Sequence, residues 1–266
     1  MIRVSAACRR LAFSVALTAL TACSAPGPRG AAAPLPERPA APEVQLQTVP
    51  PRLPPRQAAE NFVAVAQAME PRIRAECQAR TQGHRNCDYR IVAYDRRGSS
   101  PNAFQMVDRE GRPVIALNLA LIAEARNPDE LAFVMGHEGA HHILGHLQAK
   151  AADAQAGALV MGVLAAAAGA DADGIAEAQD IGADVGERSY SQDYELQADH
   201  LGTIISWDAG FDPVRGAEFF ARLPDPGETF LATHPPNRLR LKLVKRTVQS
   251  LEEKGVPRGT PPAGLS

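Results

Sequence analysis

The chain has 266 residues, 45% of them hydrophobic, 22% charged and 5% aromatic, with a formal net charge of -2. That apolar content supports one sizeable core and excludes a disordered or collagen-like chain. Twenty-eight basic against thirty acidic residues leave no cationic surplus for a nucleic-acid partner. The uncharged apolar run at residues 11–22 is shorter than the roughly 20 residues a spanning helix needs, which argues against a polytopic membrane protein.

Arg3, Arg9 and Arg10 precede that run, which ends in Leu20-Thr21-Ala22-Cys23. The charge, length and small-residue exit are those of a secretory signal peptide over residues 1–22. The ending also resembles a bacterial lipoprotein box, in which the cysteine takes the lipid and becomes the first mature residue. On that resemblance Cys23 is a lipid anchor. Ser24, where an Asp is associated with inner-membrane retention, favours a Gram-negative outer membrane and the periplasm. An ordinary signal peptide with an incidental cysteine is the other reading. Prolines recur from Pro26 to Pro55, so residues 23–55 read as a semi-extended linker. Cleavage and lipidation leave Cys77 and Cys87, expected as a disulfide in an oxidising compartment. Zinc ligation by this pair is the weaker alternative, since there is no second cysteine pair.

The folded part is expected over 56–255. Apolar residues at helical spacing predict a helix over 57–80, which Pro71 should bend or divide. Alternation predicts strands at 89–94, 103–107 and 113–117, read as a small antiparallel meander. Asn127 and Pro128 fit the N-cap and first position of a helix running through Ile143 and Leu147. The Ala- and Gly-rich stretch 157–170 falls short of a membrane span and reads as a closely packed or membrane-grazing helix. A helix is expected over 175–209, a turn at 209–213, a last helix over 235–251 and a flexible tail over 256–266.

His137-Glu138-Gly139-Ala140-His141 places two imidazoles about 40° apart around a helix, so both can address one metal. Glu138 beside them suits the general base of a zinc peptidase. Two surface histidines on an amphipathic helix are the alternative. A metzincin-type extension would require glycine at position 144 and histidine at 147, where the chain has Leu144 and Leu147. A third ligand can instead come from Tyr194-Glu195-Leu196-Gln197-Ala198-Asp199: Glu195 could bind the metal while Asp199, on the same face, orients a ligating histidine. A solvated acidic face is the competing reading. His142 and His146 fall on other faces of the expected helix and read as packing or surface residues.

These motifs, with Ala209-Gly210-Phe211-Asp212-Pro213 and Thr233-His234-Pro235-Pro236 followed by Arg238, occur in an order that resembles the M48 zinc metallopeptidases, in their periplasmic lipoprotein branch. The resemblance implies an α+β fold, a mainly helical zincin-like domain whose active-site helix carries the His-Glu-x-x-His motif. It implies one zinc per chain on His137, His141 and Glu195, with Glu138 as base and Asp199 as orienter. His234 would lie near the metal as a catalytic donor or as a resting-state ligand, or would simply form a rigid turn; Arg238 would steady that segment. Asn102, Ala103 and Phe104 resemble the family's substrate-binding edge strand. The function implied is a zinc endopeptidase, anchored by lipid and facing the periplasm, acting on unfolded or misassembled envelope proteins. The alternative is a chaperone-like factor for outer-membrane protein assembly or quality control with repressed proteolysis.

Overall fold

The computed structural model describes residues 51–96, 98–189, 191–222 and 237–261. All lie in one unit running from Thr48 to Ser266. Cys23, the linker up to residue 50, and the 233–236 segment with His234 lie outside the described residues.

Helix α1 spans Pro55–Thr81 and buries Ala58, Asn61, Val65, Met69, Ile73 and Cys77, a stripe at three- and four-residue spacing. Pro71 neither ends nor divides it. Pro71 is exposed, as is Gln67, whose carbonyl loses its helical partner to the proline and can turn to water. A Cys77–Cys87 disulfide ties the end of α1 to the segment that enters the sheet.

The sheet contains β1 (Arg90–Tyr94), β2 (Ala103–Val107) and β3 (Pro113–Asn118) in the order β1-β3-β2. It is not the expected antiparallel meander, because β1 runs parallel to β3 and only β2 is antiparallel to it. Burial explains the order. β3 carries the most continuous apolar run, with Ile115, Ala116 and Leu117 buried, and takes the centre, while the more polar β1 and β2 become edges. Asn118 fixes the β2 entrance: its Oδ1 accepts from the amides of Asn102 (3.0 Å) and Leu121 (2.8 Å), and its Nδ2 donates to the Ser100 carbonyl (2.7 Å). The second of these bonds caps α2, Leu119–Glu124.

Helix α3, Pro128–Leu144, is capped by Asn127, whose side chain accepts from the Glu130 amide, and it begins at Pro128 as the sequence predicts. It stops earlier than predicted, at Gly145, whose φ of 77° is left-handed, and Leu147 belongs to the next helix. Two buried acids at its start clasp α7 (Pro213–Arg222): Asp129 pairs with Arg215, and Glu130 with Arg222.

Helices α4 (His146–Ala167) and α5 (Ala172–Ser189) form an antiparallel hairpin. A Cβ on Gly157 would lie 2.0 Å from the Gly182 carbonyl oxygen, and one on Gly186 would lie 2.2 Å from that of Asp153. Close packing against α5 is therefore what Gly157 and Gly162 serve, while the small residues at 166–170 are exposed. The outer side of α4 leaves Leu159, Val160, Val163 and Leu164 exposed, and no described helix is long and apolar enough to cross a membrane.

Of the helix expected over 175–209, the described residues comprise α5 up to Ser189 and α6 (Ser191–Asp208), with residue 190 between them outside the described residues. Helix α5 packs on α4, and α6 packs on α3. The last helix, α8, spans Asn237–Glu253. The tail expected as flexible is held as far as residue 259. Trp207 Nε1 donates to the Val256 carbonyl and the Gly259 amide to the Trp207 carbonyl, so the indole edge and the end of α6 hold the segment that follows α8.

Candidate active site

The site forms where α3 crosses α6. Gly136 and Gly202 set the distance: a Cβ on Gly136 would lie 2.9 Å from the Gly202 carbonyl oxygen, and one on Gly202 would lie 2.8 Å from the His137 amide. Gly139, for which the sequence gives no reason, faces α1. A Cβ there would lie 2.7 Å from Ile73 Cγ2.

His137 and His141 lie one turn apart on α3, with their Nε2 atoms 3.1 Å apart. Glu195 on α6 reaches both: Oε2 is 3.3 Å from His137 Nε2, and Oε1 is 3.4 Å from His141 Nε2. Ligand atoms of these three residues all lie within 4.8 Å of one another. The other ring nitrogens are engaged. His137 Nδ1 donates to Asp199 Oδ1 at 2.9 Å, and His141 Nδ1 faces His146 Nδ1 at 2.9 Å. Two imidazole nitrogens and a carboxylate therefore converge on one point and could hold a metal ion. A nitrogen, nitrogen, oxygen set fits zinc with one position left for water.

Burial disfavours the charged form of His137, but hydrogen bonds and charge from Asp199 and Glu195 outweigh it and push its pKa up to about 9. Burial would raise the Asp199 carboxyl, yet the Arg240 guanidinium prevails and holds it below its usual range. Burial and the neighbouring His141 push His146 down to about 4, so it is neutral at pH 7.

Arg240, on α8, makes a bidentate pair with Asp199: Nε to Oδ2 and Nη2 to Oδ1, each 2.7 Å. Its guanidinium carbon lies 3.5 Å from the Phe220 ring centroid. Arg238, expected to steady the 233–236 segment, is exposed at the start of the same helix, and Arg240, which the sequence reading did not single out, is the arginine buried at Asp199. The signal was present: Arg240, Val244 and Thr247 form the buried stripe of α8. His146 was missed because a continuous helix would carry it away from His141. The break at Gly145 swings it back.

Glu138 is partly exposed and lines a cavity of about 480 Å³ together with the three converging residues. Asn102, Ala103 and Phe104 form one rim, and Leu121, Val134 and Phe220 supply apolar wall. β2 is the sheet edge here. Asn102 accepts from the Asn118 amide, and Asp108 donates to the Arg112 carbonyl, so even-numbered positions bond inward. By alternation, Ala103 and Gln105 turn their backbone N–H and C=O groups to the open edge. His142 is a packing residue, as expected. Its Nε2 donates to the Asn86 carbonyl at 2.8 Å and its ring meets Tyr89 edge-on.

The model of peptidase family M48 matches residues 67–248, most of the chain and all of the helices that build this site. The chain belongs to peptidase family M48. A relative from Vibrio cholerae serotype O1 (strain ATCC 39315 / El Tor Inaba N16961), provisionally named beta-barrel assembly-enhancing protease, is 34% identical over 169 residues. That match covers 58% of this chain and 34% of the relative, so the M48 chain spans about a third of that protein's length.

Proposed function

We propose that this M48 protein is a zinc-dependent endopeptidase, anchored by lipid at Cys23 and facing the periplasm, that cleaves unfolded or misassembled envelope proteins. The observation that carries the reading is the convergence of His137, His141 and Glu195 beside Glu138, in a cavity rimmed by an open strand edge. Residues 1–22 would be the signal peptide, 23–55 the tether and 56–255 the peptidase domain.

His137, His141 and Glu195 would hold one zinc. Bound there, the ion supplies a water acidified to a pKa of about 7 and a Lewis acid for the scissile carbonyl. Glu138 takes the proton of the attacking water and returns it to the leaving amine. Asp199 holds His137 in the tautomer whose Nε2 faces the site, and Arg240 keeps Asp199 ionised. His234 would donate to the oxyanion, and Arg238 would steady the segment that carries it. An extended substrate would add to β2 through the outward amides and carbonyls of Ala103 and Gln105, with one side chain against Leu121, Val134 and Phe220. Such pairing needs a free backbone, which is why unfolded segments are the expected substrates.

The name of the Vibrio cholerae relative supports a second reading, an assembly or quality-control factor for outer-membrane proteins whose proteolysis is repressed. Restoration of function in a deletion strain by a Glu138→Gln protein would favour that reading.

Glu195→Ala should weaken zinc retention in chelator competition while leaving the protein folded. Unchanged affinity would remove Glu195 from the ligand set. The proton on His137 must leave before a metal binds. Since its pKa in the folded protein is pushed to about 9, apparent zinc affinity should climb about tenfold per pH unit from pH 7 and level off above pH 9. The same shift has a sign for the metal-free protein. Protonated His137 contributes stability that is fully present below about pH 6.5 and is lost as pH rises through about 9.

A further inference from the structure

Gly145 has φ 77°, a left-handed conformation that calls for glycine at the break between α3 and α4. On an unbroken helix His146 would sit about 140° around from His141. The break instead brings its Nδ1 to 2.9 Å from His141 Nδ1, where it is 3% exposed. On its far side His146 Nε2 donates to Gln197 Oε1 at 3.3 Å. Its ring stacks on Tyr194 at 4.8 Å between centroids, and the Tyr194 hydroxyl donates to Asp153 at 2.6 Å.

We propose that His146 is a positioning residue for His141: it accepts the Nδ1 proton of His141, fixes that ring with Nε2 facing the metal position, and is itself held by Gln197 and Tyr194. The inference rests on the zinc reading of the site. With the His146 proton on Nε2, given to Gln197, its Nδ1 lone pair is available and the His141 proton must occupy Nδ1. The two ligand histidines are thus oriented by different chemistry. Asp199, an anion paired with Arg240, backs His137, whereas a neutral imidazole backs His141. A neutral acceptor fixes geometry without adding negative charge, so the site keeps more of the metal's positive charge for the substrate carbonyl.

The test uses the purified full-length chain and measures zinc affinity by chelator competition, with melting of the metal-free protein as the folding control. His146→Leu removes the acceptor and should weaken zinc binding by about 10–100-fold. His146→Asn, whose Oδ1 occupies the place of the imidazole Nδ1, should recover most of that loss. The His141 Nδ1–H resonance should be protected in the wild type and the Asn variant and lost in the Leu variant. If His146→Leu does not fold, Gln197→Leu, at an exposed position, should still weaken zinc binding. A folded Leu variant that binds zinc as tightly as the wild type, while Glu195→Ala binds less tightly, overturns this inference alone. An Asn variant as weak as the Leu variant, or no effect of Gln197→Leu where His146→Leu does not fold, also overturns it. A wild type that binds no zinc overturns the reading of the site and the inference with it.

Discussion

Glu138→Gln is expected to bind zinc as the wild type does and to lose about 10²–10⁴-fold in kcat/KM, the range a positioned general base supplies. The amide keeps the size of the side chain and cannot take a proton. Glu138 stands apart from the cluster of His137, His141 and Glu195, so the change leaves the proposed ligands untouched. Paired zinc titrations and cleavage assays check both halves. Cleavage by the Gln variant at the wild-type rate would reject the base. Loss of zinc together with activity would mean that Glu138 ligates.

Arg240→Met is expected to destabilise the metal-free fold by about 3–5 kcal/mol at pH 7, the cost of leaving a buried charge without its partner. Asp199 has a side-chain exposure of 0% and Arg240 of 6%, so water cannot replace the lost guanidinium. The charge of His137 offsets part of the loss while it remains protonated. The pH dependence carries the sign. In the wild type the Asp199 pKa is held low, so its contribution is present above about pH 4 and is lost as pH falls through the folded value. Without Arg240, burial raises the same pKa, and the penalty grows as pH rises above about 4. Urea unfolding should therefore show a wider gap between variant and wild type at pH 7 than at pH 4.5. A gap that is small and flat with pH would contradict this role for Arg240.

Much of the site was legible because its information is local. The i,i+4 spacing of His137 and His141, and of Glu195 and Asp199, places each pair on one helix face, and the helix supplies the geometry. Asn127 and Pro128 marked the start of α3 for the same reason. What escaped depends on contacts between distant segments. The order β1-β3-β2 follows from which strand is buried on both sides, a property of the helices packed around it and not of strand periodicity. One left-handed glycine, Gly145, turned His146 from a bystander into a neighbour of His141. The burial of Arg240 is a matter of helical phase. The stripe of Arg240, Val244 and Thr247 encodes it, but an arginine reads as exposed until the acid that buries it, Asp199 on another helix, is in view. Likewise Gly136, Gly139 and Gly202 look like helix-weakening residues until the helices that approach them are known.

The most direct measurement is cleavage of an unfolded outer-membrane protein by the chain lacking residues 1–23, with stoichiometric zinc, after chelation and after zinc is restored. The account predicts cleavage that stops on chelation and returns with zinc. Cleavage that persists without metal, or zinc bound in the wild type with no peptide bond broken under any condition, would contradict it.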